Sequence, residues 1–251
     1  MTHPHADSLL FDVPVPVPPV EQLLLLAGQY TLHNDTLDLA LASPTEPDPA
    51  AHGASARQLA TETSAAITAV LNQHSSIQPD LSDTLIRLNQ LAYLSAHSAD
   101  QKAHLARELT ALAPQDIVTS AARIAQEPGR DRSGAPASPA ELLTPAHCAA
   151  LYEVARGRAV VTESMGRQYV NSRGPRILIS TLRHLESNGL VDRAEGSAAP
   201  AFKGAPPLDR LRLTPAGATA VASFIGLPPA TTAASSRVVP PAPVQSPSRS
   251  R

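Results

Sequence analysis

The sequence predicts a mainly helical protein that ends in a smaller part containing both helices and strands. Leu and Ala recur at helical spacing between residues 56 and 127. Towards the other end, "LDRLRLT" at residues 208–214 alternates apolar and charged side chains, the period-two pattern of a half-buried strand. The 251 residues include no Trp, three Phe and four Tyr, so the core must be built mainly from Leu, Val, Ile and Ala.

Proline-rich and polar segments divide the chain. Residues 1–55 are expected to be mostly disordered, because "VPVPVPP" places Pro at positions that prevent a helix and favour polyproline II. Within them, a short apolar helix is expected at residues 20–30, and residues 43–55 indicate a linker. Residues 128–140 indicate a second linker, and the low-complexity residues 227–251 a disordered tail.

Residues 56–127 are predicted to form a helical region. Four helices are expected, at residues 56–72, from Pro79 onward, around Leu105–Leu112 and at residues 115–126. Leu-lined helices with short connections are typical of a small bundle or a dimerisation surface. We expect this region to be a structural domain without a binding or catalytic site. The alternatives are that it forms a homodimer or binds a protein partner.

Composition and motifs argue against several classes of protein. The single cysteine, Cys148, cannot form an internal disulfide, and the longest apolar run, Leu23–Ala27, is too short to span a bilayer. The amino terminus lacks the basic region of a secretory signal, so we expect a soluble, cytoplasmic protein. An excess of Arg over Lys, with abundant Ala and Pro, is typical of a GC-rich bacterial genome.

No catalytic motif supports an enzyme. The chain contains no nucleotide-binding glycine motif, no serine-hydrolase motif and no zinc-protease motif, so neither an activity nor a cofactor is predicted. His3, His5 and Asp7 have metal-ligand chemistry, but they fall in a segment expected to be disordered. No metal site is therefore predicted.

Charge is distributed unevenly along the chain. Residues 1–128 hold 5 Lys and Arg against 14 Asp and Glu, whereas residues 141–226 hold 10 against 7. The basic excess of the second half suggests that this half, and not the first, meets an anionic partner.

Residues 141–226 are predicted to form a domain that starts with a well-marked helix. Thr144 suits an N-cap, Pro145 suits the first helical position, and Gly157 suits the residue just past the helix end. Cys148 lies on the apolar face of this helix, so we interpret it as a small buried hydrophobe and not as a reactive thiol.

Two further elements are expected before residue 173. "RAVV" at residues 158–161 favours a short strand, and "TESMGRQYVNS" at residues 162–172 is predicted to form a second helix. Met165 and Tyr169, four residues apart, would share a face of that helix.

Residues 176–188 predict a third helix with one apolar side and one cationic side. On a helical wheel, the apolar side holds Leu178, Thr181, Leu182 and Leu185. The opposite side holds Arg176, Ser180, Arg183 and Ser187, with His184 beside them. A solvated helix face usually mixes charge signs, but this stripe contains no acid. Cationic and hydroxyl groups of this kind suit phosphates and base edges.

A strand hairpin and a last helix complete the domain. Asn188 and Gly189 end the third helix, and an extended segment starts at Leu190. A polar loop joins this segment to the strand at residues 208–214, which predicts an antiparallel hairpin. Its cations are Lys203, Arg210 and Arg212. Thr214 and Pro215 repeat the cap-and-proline pattern and predict a closing helix.

This order of elements resembles the winged helix-turn-helix domain, close to the MarR-like and PadR-like bacterial regulators. "LRHLESNGLVDR" (Leu182–Arg193) resembles the end of a recognition helix that runs into the first wing strand. "LRLTPAG" (Leu211–Gly217) resembles the second wing strand that runs into the closing helix. The resemblance covers about residues 142–225, a third of the chain.

The resemblance implies that the third helix enters the major groove of duplex DNA and that the wing touches the adjacent backbone. The residues expected to face DNA are Arg176, Ser180, Arg183, His184 and Ser187 on the third helix, Arg167 and Arg173 beside the second helix, and Lys203, Arg210 and Arg212 on the wing. The protein is thus expected to be a DNA-binding transcriptional regulator, with a homodimer as one arrangement. Winged-helix domains also serve as protein-interaction modules without DNA binding, and this alternative stays open.

Overall fold

The structure, a computed structural model, describes residues 17–43, 48, 51–74, 79–127, 143–202 and 204–227. In chain order, the helices are α1 (Pro19–Ala42), α2 (Gly53–Gln73), α3 (Pro79–Ser98), α4 (Ala103–Thr110), α5 (Ala113–Gln126), α6 (Pro145–Ala155), α7 (Ile179–Ser187) and α8 (Pro215–Phe224). The strands are β1 (Ala159–Ser164), β2 (Arg167–Ser172), β3 (Val191–Ala198) and β4 (Leu208–Leu213). The described part of the chain is therefore mainly helical with one small sheet. Predictions for the two tails, the second linker, Lys203 and the His3, His5 and Asp7 cluster lie outside the described residues.

Helix α1 corrects the expectation of a short helix in a mostly disordered segment. It runs for 24 residues and lies at the centre of the molecule, where it packs on α2, α4, α5 and α8. Leu23, Leu24 and Tyr30 on this helix are fully buried. The proline run is consistent with this helix, since Pro19 occupies its first position, where no backbone N–H is needed.

The polar second half of α1 is buried because distant helices supply its hydrogen-bond partners. The hydroxyl of Thr110 on α4 donates to the side-chain oxygen of Asn34 at 2.6 Å, and the Asn34 amide donates to the Thr110 carbonyl at 2.9 Å. The hydroxyls of Tyr30 and Thr63 on α2 are also hydrogen-bonded, at 3.0 Å. Buried polar groups are tolerated when they are paired in this way.

Helices α2 to α5 confirm the predicted helical region. The four helices lie close to their expected bounds, and α2 packs on α3 while α5 packs on α1 and α3. Their inward side chains are mostly Leu, Ile, Val and Ala, as the scarcity of aromatic residues requires. None of the helices within the described ranges combines the length and the apolar character needed to cross a membrane.

The carboxyl-terminal part consists of α6, α7 and α8 around an antiparallel sheet with the strand order β2-β1-β4-β3. Thr144 caps α6 as expected, and His147 completes a capping box by accepting from the Thr144 backbone N–H. Thr214 caps α8 and accepts from the Gly217 N–H at 3.0 Å. The predicted hairpin is also confirmed as β3 and β4.

The prediction of a second helix at residues 162–172 is wrong, because β1 continues through Thr162 and turns directly into β2. Ser164 pairs with Arg167, which leaves Met165 and Gly166 as a two-residue turn. Both have positive φ, 52° and 69°, as a type I′ turn requires. Gly166 disfavours a helix and supplies the second turn position at no steric cost.

The amino-terminal and carboxyl-terminal parts share one continuous core. Its buried residues come from α1, α2, α3 and α5 as well as from α6 to α8 and the sheet. Gly157, with φ +67°, lies so close to α1 that a Cβ atom there would come within 2.2 Å of the Thr31 hydroxyl oxygen. The hydroxyl of Thr219 on α8 also donates to the carboxylate of Glu21 on α1 at 2.8 Å.

Candidate functional site

Helix α7 lies on the carboxyl-terminal part with its leucines inward. Leu182 and Leu185 are fully buried, and α7 packs on α6, β2 and β3. Leu178 departs from the predicted wheel, because it precedes the first helical residue and is 53% exposed. The helix spans nine residues and ends at Ser187, followed by Asn188 and a positive-φ Gly189 as expected.

The outward side of α7 carries the predicted polar residues. Ser180, Arg183 and Ser187 are exposed, and Arg176 is exposed in the loop that leads into the helix. The Ser187 hydroxyl donates to the carbonyl of His184 at 2.9 Å, so it is partly committed to its own helix. Ser180 and the two guanidinium groups are the groups of this side that remain open to a ligand.

Ion pairs divide the arginines of the carboxyl-terminal part into two sets. Within residues 143–202 and 204–227, five arginines lie within 4.0 Å of a carboxylate: Arg156, Arg158, Arg193, Arg210 and Arg212. The other four arginines of these ranges have no such pair: Arg167, Arg173, Arg176 and Arg183. These four follow one another along the stretch from β2 to α7. Within these two ranges, the arginines without ion pairs are thus concentrated on one continuous segment.

A groove between β2 and α7 brings Arg167 and Arg183 together. It encloses about 550 Å³, and its lining includes the side chains of Gln168 and Tyr169. Glu163 is the one acid in the lining described for this groove, against two guanidinium groups. A groove with donors, an aromatic face and a net positive charge has the chemistry that suits a phosphorylated or otherwise anionic ligand.

The prediction that Arg210 faces DNA is corrected by its contacts. Its Nε and Nη2 donate to the two carboxylate oxygens of Asp35 on α1, at 2.7 and 2.5 Å, and its Nη1 donates to the Gly157 carbonyl at 2.8 Å. Asp35 is only 2% exposed. Burial raises the pKa of Asp35, and the hydrogen bonds and charge of Arg210 oppose that rise. Arg210 therefore joins the two parts of the chain and is not available to a ligand.

The remaining wing and flanking cations are separated from the groove. Arg212 is tied to Asp192 across the β3–β4 pair at 3.1 Å, near the surface. Arg173 follows β2 and lines a different cavity, on the side of α1. The structure thus brings Arg167 and Arg183 together, but not Arg173 or Arg212 with them.

His184 contacts a second histidine at the start of α6. The rings of His184 and His147 are stacked, with centroids 4.5 Å apart and planes 10° from parallel. Burial lowers the pKa of His147, and the neighbouring His184 lowers it further. His184 thus connects α7 to the cap of α6.

Sequence reasoning missed Gln168 and Tyr169 as groove residues and His147 as the partner of His184. The hairpin had a local signal, since "VVTES" and "RQYV" flank Met-Gly with β-prone residues, and Gly is favoured in the second position of such a turn. The histidine stack has no signal in the sequence, because it joins residues on two different helices.

Comparisons with protein-family models, with curated proteins and with solved structures find no match. Across the described ranges, His, Cys, Asp and Glu side chains form no group of three or more that would hold a metal ion. Burial raises the pKa of the Cys148 thiol, which disfavours the reactive thiolate. The groove between β2 and α7 is the candidate site because of its geometry and its positive charge.

Proposed function

We propose that the protein is a DNA-binding transcriptional regulator in which α7 and the β1–β2 hairpin contact duplex DNA. In this proposal, residues 143–202 and 204–227 belong to a variant of the winged helix in which a strand hairpin replaces the second helix. The observation that carries it is that Arg167 and Arg183, both exposed and without ion pairs, line one groove, while Arg176 is exposed just before α7.

The dimensions of α7 support this role. An α-helix with its side chains is about 10–12 Å across, and the major groove is about 12 Å wide, so α7 can enter it with its outward side against base edges. The elements that pack closely on α7, namely α6, β2 and β3, leave the side with Ser180 and Arg183 open. No side chain caps the start of α7, which leaves backbone N–H groups beside Arg176 for a phosphate.

The residue types suggest a division of roles. Arg183, near the middle of the helix, has the forked donor group that reads guanine, and Ser180 precedes it by nearly one turn. In this proposal, Arg167 on the hairpin and Arg176 before the helix contact phosphates. Tyr169 and Gln168 add a ring face and an amide to the groove that contains Arg167 and Arg183.

The direct test is the binding of the full chain to a random-sequence duplex, followed by fluorescence anisotropy over a range of salt concentrations. We expect affinity to fall steeply with salt, because bound phosphates release counterions. Replacing both Arg167 and Arg183 by Ala should weaken binding at every salt concentration. Arg123→Ala is the matched control, since Arg123 is exposed on α5 and distant in sequence. Equal binding by the double variant and the control would contradict the proposed interface.

A protein-interaction module is the second candidate, and exposed apolar side chains favour it. Met165 at the hairpin tip is 100% exposed, and Tyr169 is 47% exposed at the same groove. Exposed apolar groups beside cations also suit an acidic peptide. Absence of duplex binding even at low salt would favour this module over the DNA reader.

A homodimer would place two copies of α7 on two half-sites of an operator. The outer face of α3 supports this arrangement, because Ile86 and Tyr93 are exposed there beside Leu94. Light scattering after size-exclusion chromatography measures the mass directly. If Tyr93→Asp leaves a dimeric mass unchanged, the dimer does not form through this face.

A further inference from the structure

A second cavity, of about 660 Å³, lies where α1, α4 and α5 face the sheet. It is distinct from the groove beside α7, and no residue lines both. Sites for small metabolites typically measure some 300–1,000 Å³ and lie between packed units of a fold. We propose that this cavity binds a small organic dianion through guanidinium groups.

The lining is rich in arginine, and its acids are already engaged. Five arginines line the cavity: Arg107, Arg156, Arg158, Arg173 and Arg210. The two acids of the lining are Asp38, paired with Arg107 at 2.8 Å, and Asp35, paired with Arg210. The charges of Arg156, Arg158 and Arg173 are therefore not balanced by a carboxylate in the lining.

Glu153 lies near two of these arginines, Arg156 and Arg158, but does not hydrogen-bond to their guanidinium groups. It is 3% exposed, and its Oε1 lies 3.8 Å from Nη1 of Arg156 and 4.0 Å from Nη1 of Arg158, beyond hydrogen-bond distance. Gly174 packs against the same carboxylate so closely that a Cβ atom there would lie 2.6 Å away, which brings the backbone beside Arg173 to this point. The single carboxylate of Glu153 leaves an excess of two positive charges over Arg156, Arg158 and Arg173, which suits a ligand with two negative charges.

One buried donor without a partner supports the same conclusion. Among the described residues the Nε of Arg156 is buried and has no hydrogen-bond partner, and neither has the Oε2 of Glu153. The Nη2 of Arg156 donates to the Tyr152 hydroxyl at 2.9 Å, which holds the guanidinium in place over the ring. A buried donor left without a partner is costly, so an acceptor supplied by a ligand would be favourable. Carboxylate and phosphate oxygens match the guanidinium fork.

Apolar side chains in the same lining would contact the carbon part of such a molecule. Val160, Leu208 and Pro114 line the cavity together with the polar groups. The ligand is thus expected to be a compact carbon skeleton with two carboxylates or one phosphate ester. Both classes of ligand carry two negative charges on oxygen atoms, which the arginines would recognise. Separate titrations with a dicarboxylate and with phosphate distinguish the two classes.

The test uses the full chain without DNA, so its outcome is independent of the proposed DNA-binding function. Calorimetric titrations with succinate, with inorganic phosphate and with succinamide, the neutral analogue of succinate, are carried out at constant ionic strength. We expect one saturable site with a Kd of about 1 mM or tighter for succinate or for phosphate, and none for succinamide. Saturation by succinate alone assigns a dicarboxylate, and saturation by phosphate alone assigns a phosphate ester. Equal heats for all three compounds, or saturation by none, would overturn the proposal.

Variants locate the site. Arg173 is exposed and has no ion pair, so Arg173→Gln should preserve the fold and weaken binding at least about tenfold, as expected for a lost charged hydrogen bond. Arg123→Gln on α5 is the matched control and should bind as the parent does. If Arg173→Gln changes the melting temperature of the free protein, Arg173→Lys is the second test. It keeps the positive charge but lacks the forked guanidinium donors, so it should still bind the ligand more weakly than the parent protein does. Unchanged affinity in both Arg173 variants would rule out this cavity as the site.

Discussion

The guanidinium of Arg210 on β4 holds the carboxylate of Asp35 on α1 by two hydrogen bonds, of 2.7 and 2.5 Å, across 175 residues of sequence. Asp35 is almost completely buried, and the side chain of Arg210 is 14% exposed. A third hydrogen bond, to the carbonyl of Gly157, fixes the same guanidinium to the end of α6. One side chain thus connects the helical part of the molecule to its sheet.

We expect Asp35→Ala to destabilise the protein by about 3–5 kcal/mol, because it leaves the largely buried charge of Arg210 without its partner. The double variant with Asp35→Leu and Arg210→Met should recover most of this loss, since apolar groups of similar volume often replace a buried pair at little cost. Urea denaturation measures both values.

The matched control is the pair of Asp38 and Arg107, which has the same chemistry at 2.8 Å but is about 30% exposed. Removing Asp38 should cost about 1 kcal/mol or less, as is usual for exposed pairs. Equal losses for Asp35→Ala and Asp38→Ala would show that burial does not determine the strength of the contact.

His33 makes stability depend on pH. Burial lowers its pKa to about 4, with smaller contributions from His52 and Arg107. The unfolded chain binds a proton near pH 6.5, so between about pH 6.5 and 4 it holds more protons than the folded protein and stability falls as the pH falls. The loss amounts to at most about 3 kcal/mol.

The variant His33→Phe isolates this effect. It keeps a ring of similar size, removes the buried Nε2 that has no partner among the described residues, and cannot be protonated. We expect its free energy of unfolding to vary less between pH 4 and 6.5 than that of the parent protein. Parallel pH profiles for the two proteins would contradict the assignment to His33.

Local signals explain why most elements were predicted correctly. The starts of α6 and α8 depend on Thr144 and Thr214, whose side chains bond within the next three residues. The pairing of β3 with β4 follows from alternation and a polar loop. Likewise, the exposure of Arg183 follows from its position opposite Leu182 and Leu185 on the helical wheel, whereas Arg176 is exposed because it lies in the loop before α7.

Long-range contacts explain the errors. Asn34 and Asp35 resemble surface residues, and only Thr110 and Arg210, 76 and 175 residues away, make their burial favourable. Strand alternation shows which face of β4 carries Arg210, but it cannot show that α1 covers that face. For the same reason, the cavity beside Arg173 has no signal in the sequence, since it is formed by elements distant along the chain.

Base recognition and phosphate contact predict different outcomes for two arginines of the proposed interface. Arg183→Ala should cost about 1–3 kcal/mol on a selected duplex and relax the preference at one base pair. Arg176→Ala should weaken all duplexes alike and reduce the slope of log affinity against log salt by about one unit. Selection from a random pool, repeated with each variant, measures both effects. A similar change in base preference for the two variants would contradict the division of roles.

Met165 lies in the turn of the β1–β2 hairpin, where the sequence predicts a helix over residues 162–172. A substitution at Met165 can distinguish the two structures by its effect on stability. Met165 has φ 52°, a left-handed conformation that costs most side chains about 1 kcal/mol, whereas Asn tolerates it and Asn-Gly is the favoured type I′ pair. Met165→Asn should therefore raise the free energy of unfolding by about 1 kcal/mol. In a helix the same change would be destabilising, because Met is the better helix former. The control is Met165→Ala, which removes the same exposed side chain but leaves the strained backbone conformation, so it should not increase stability. If Met165→Ala is also stabilised, the cause is the loss of an exposed apolar side chain and not the turn.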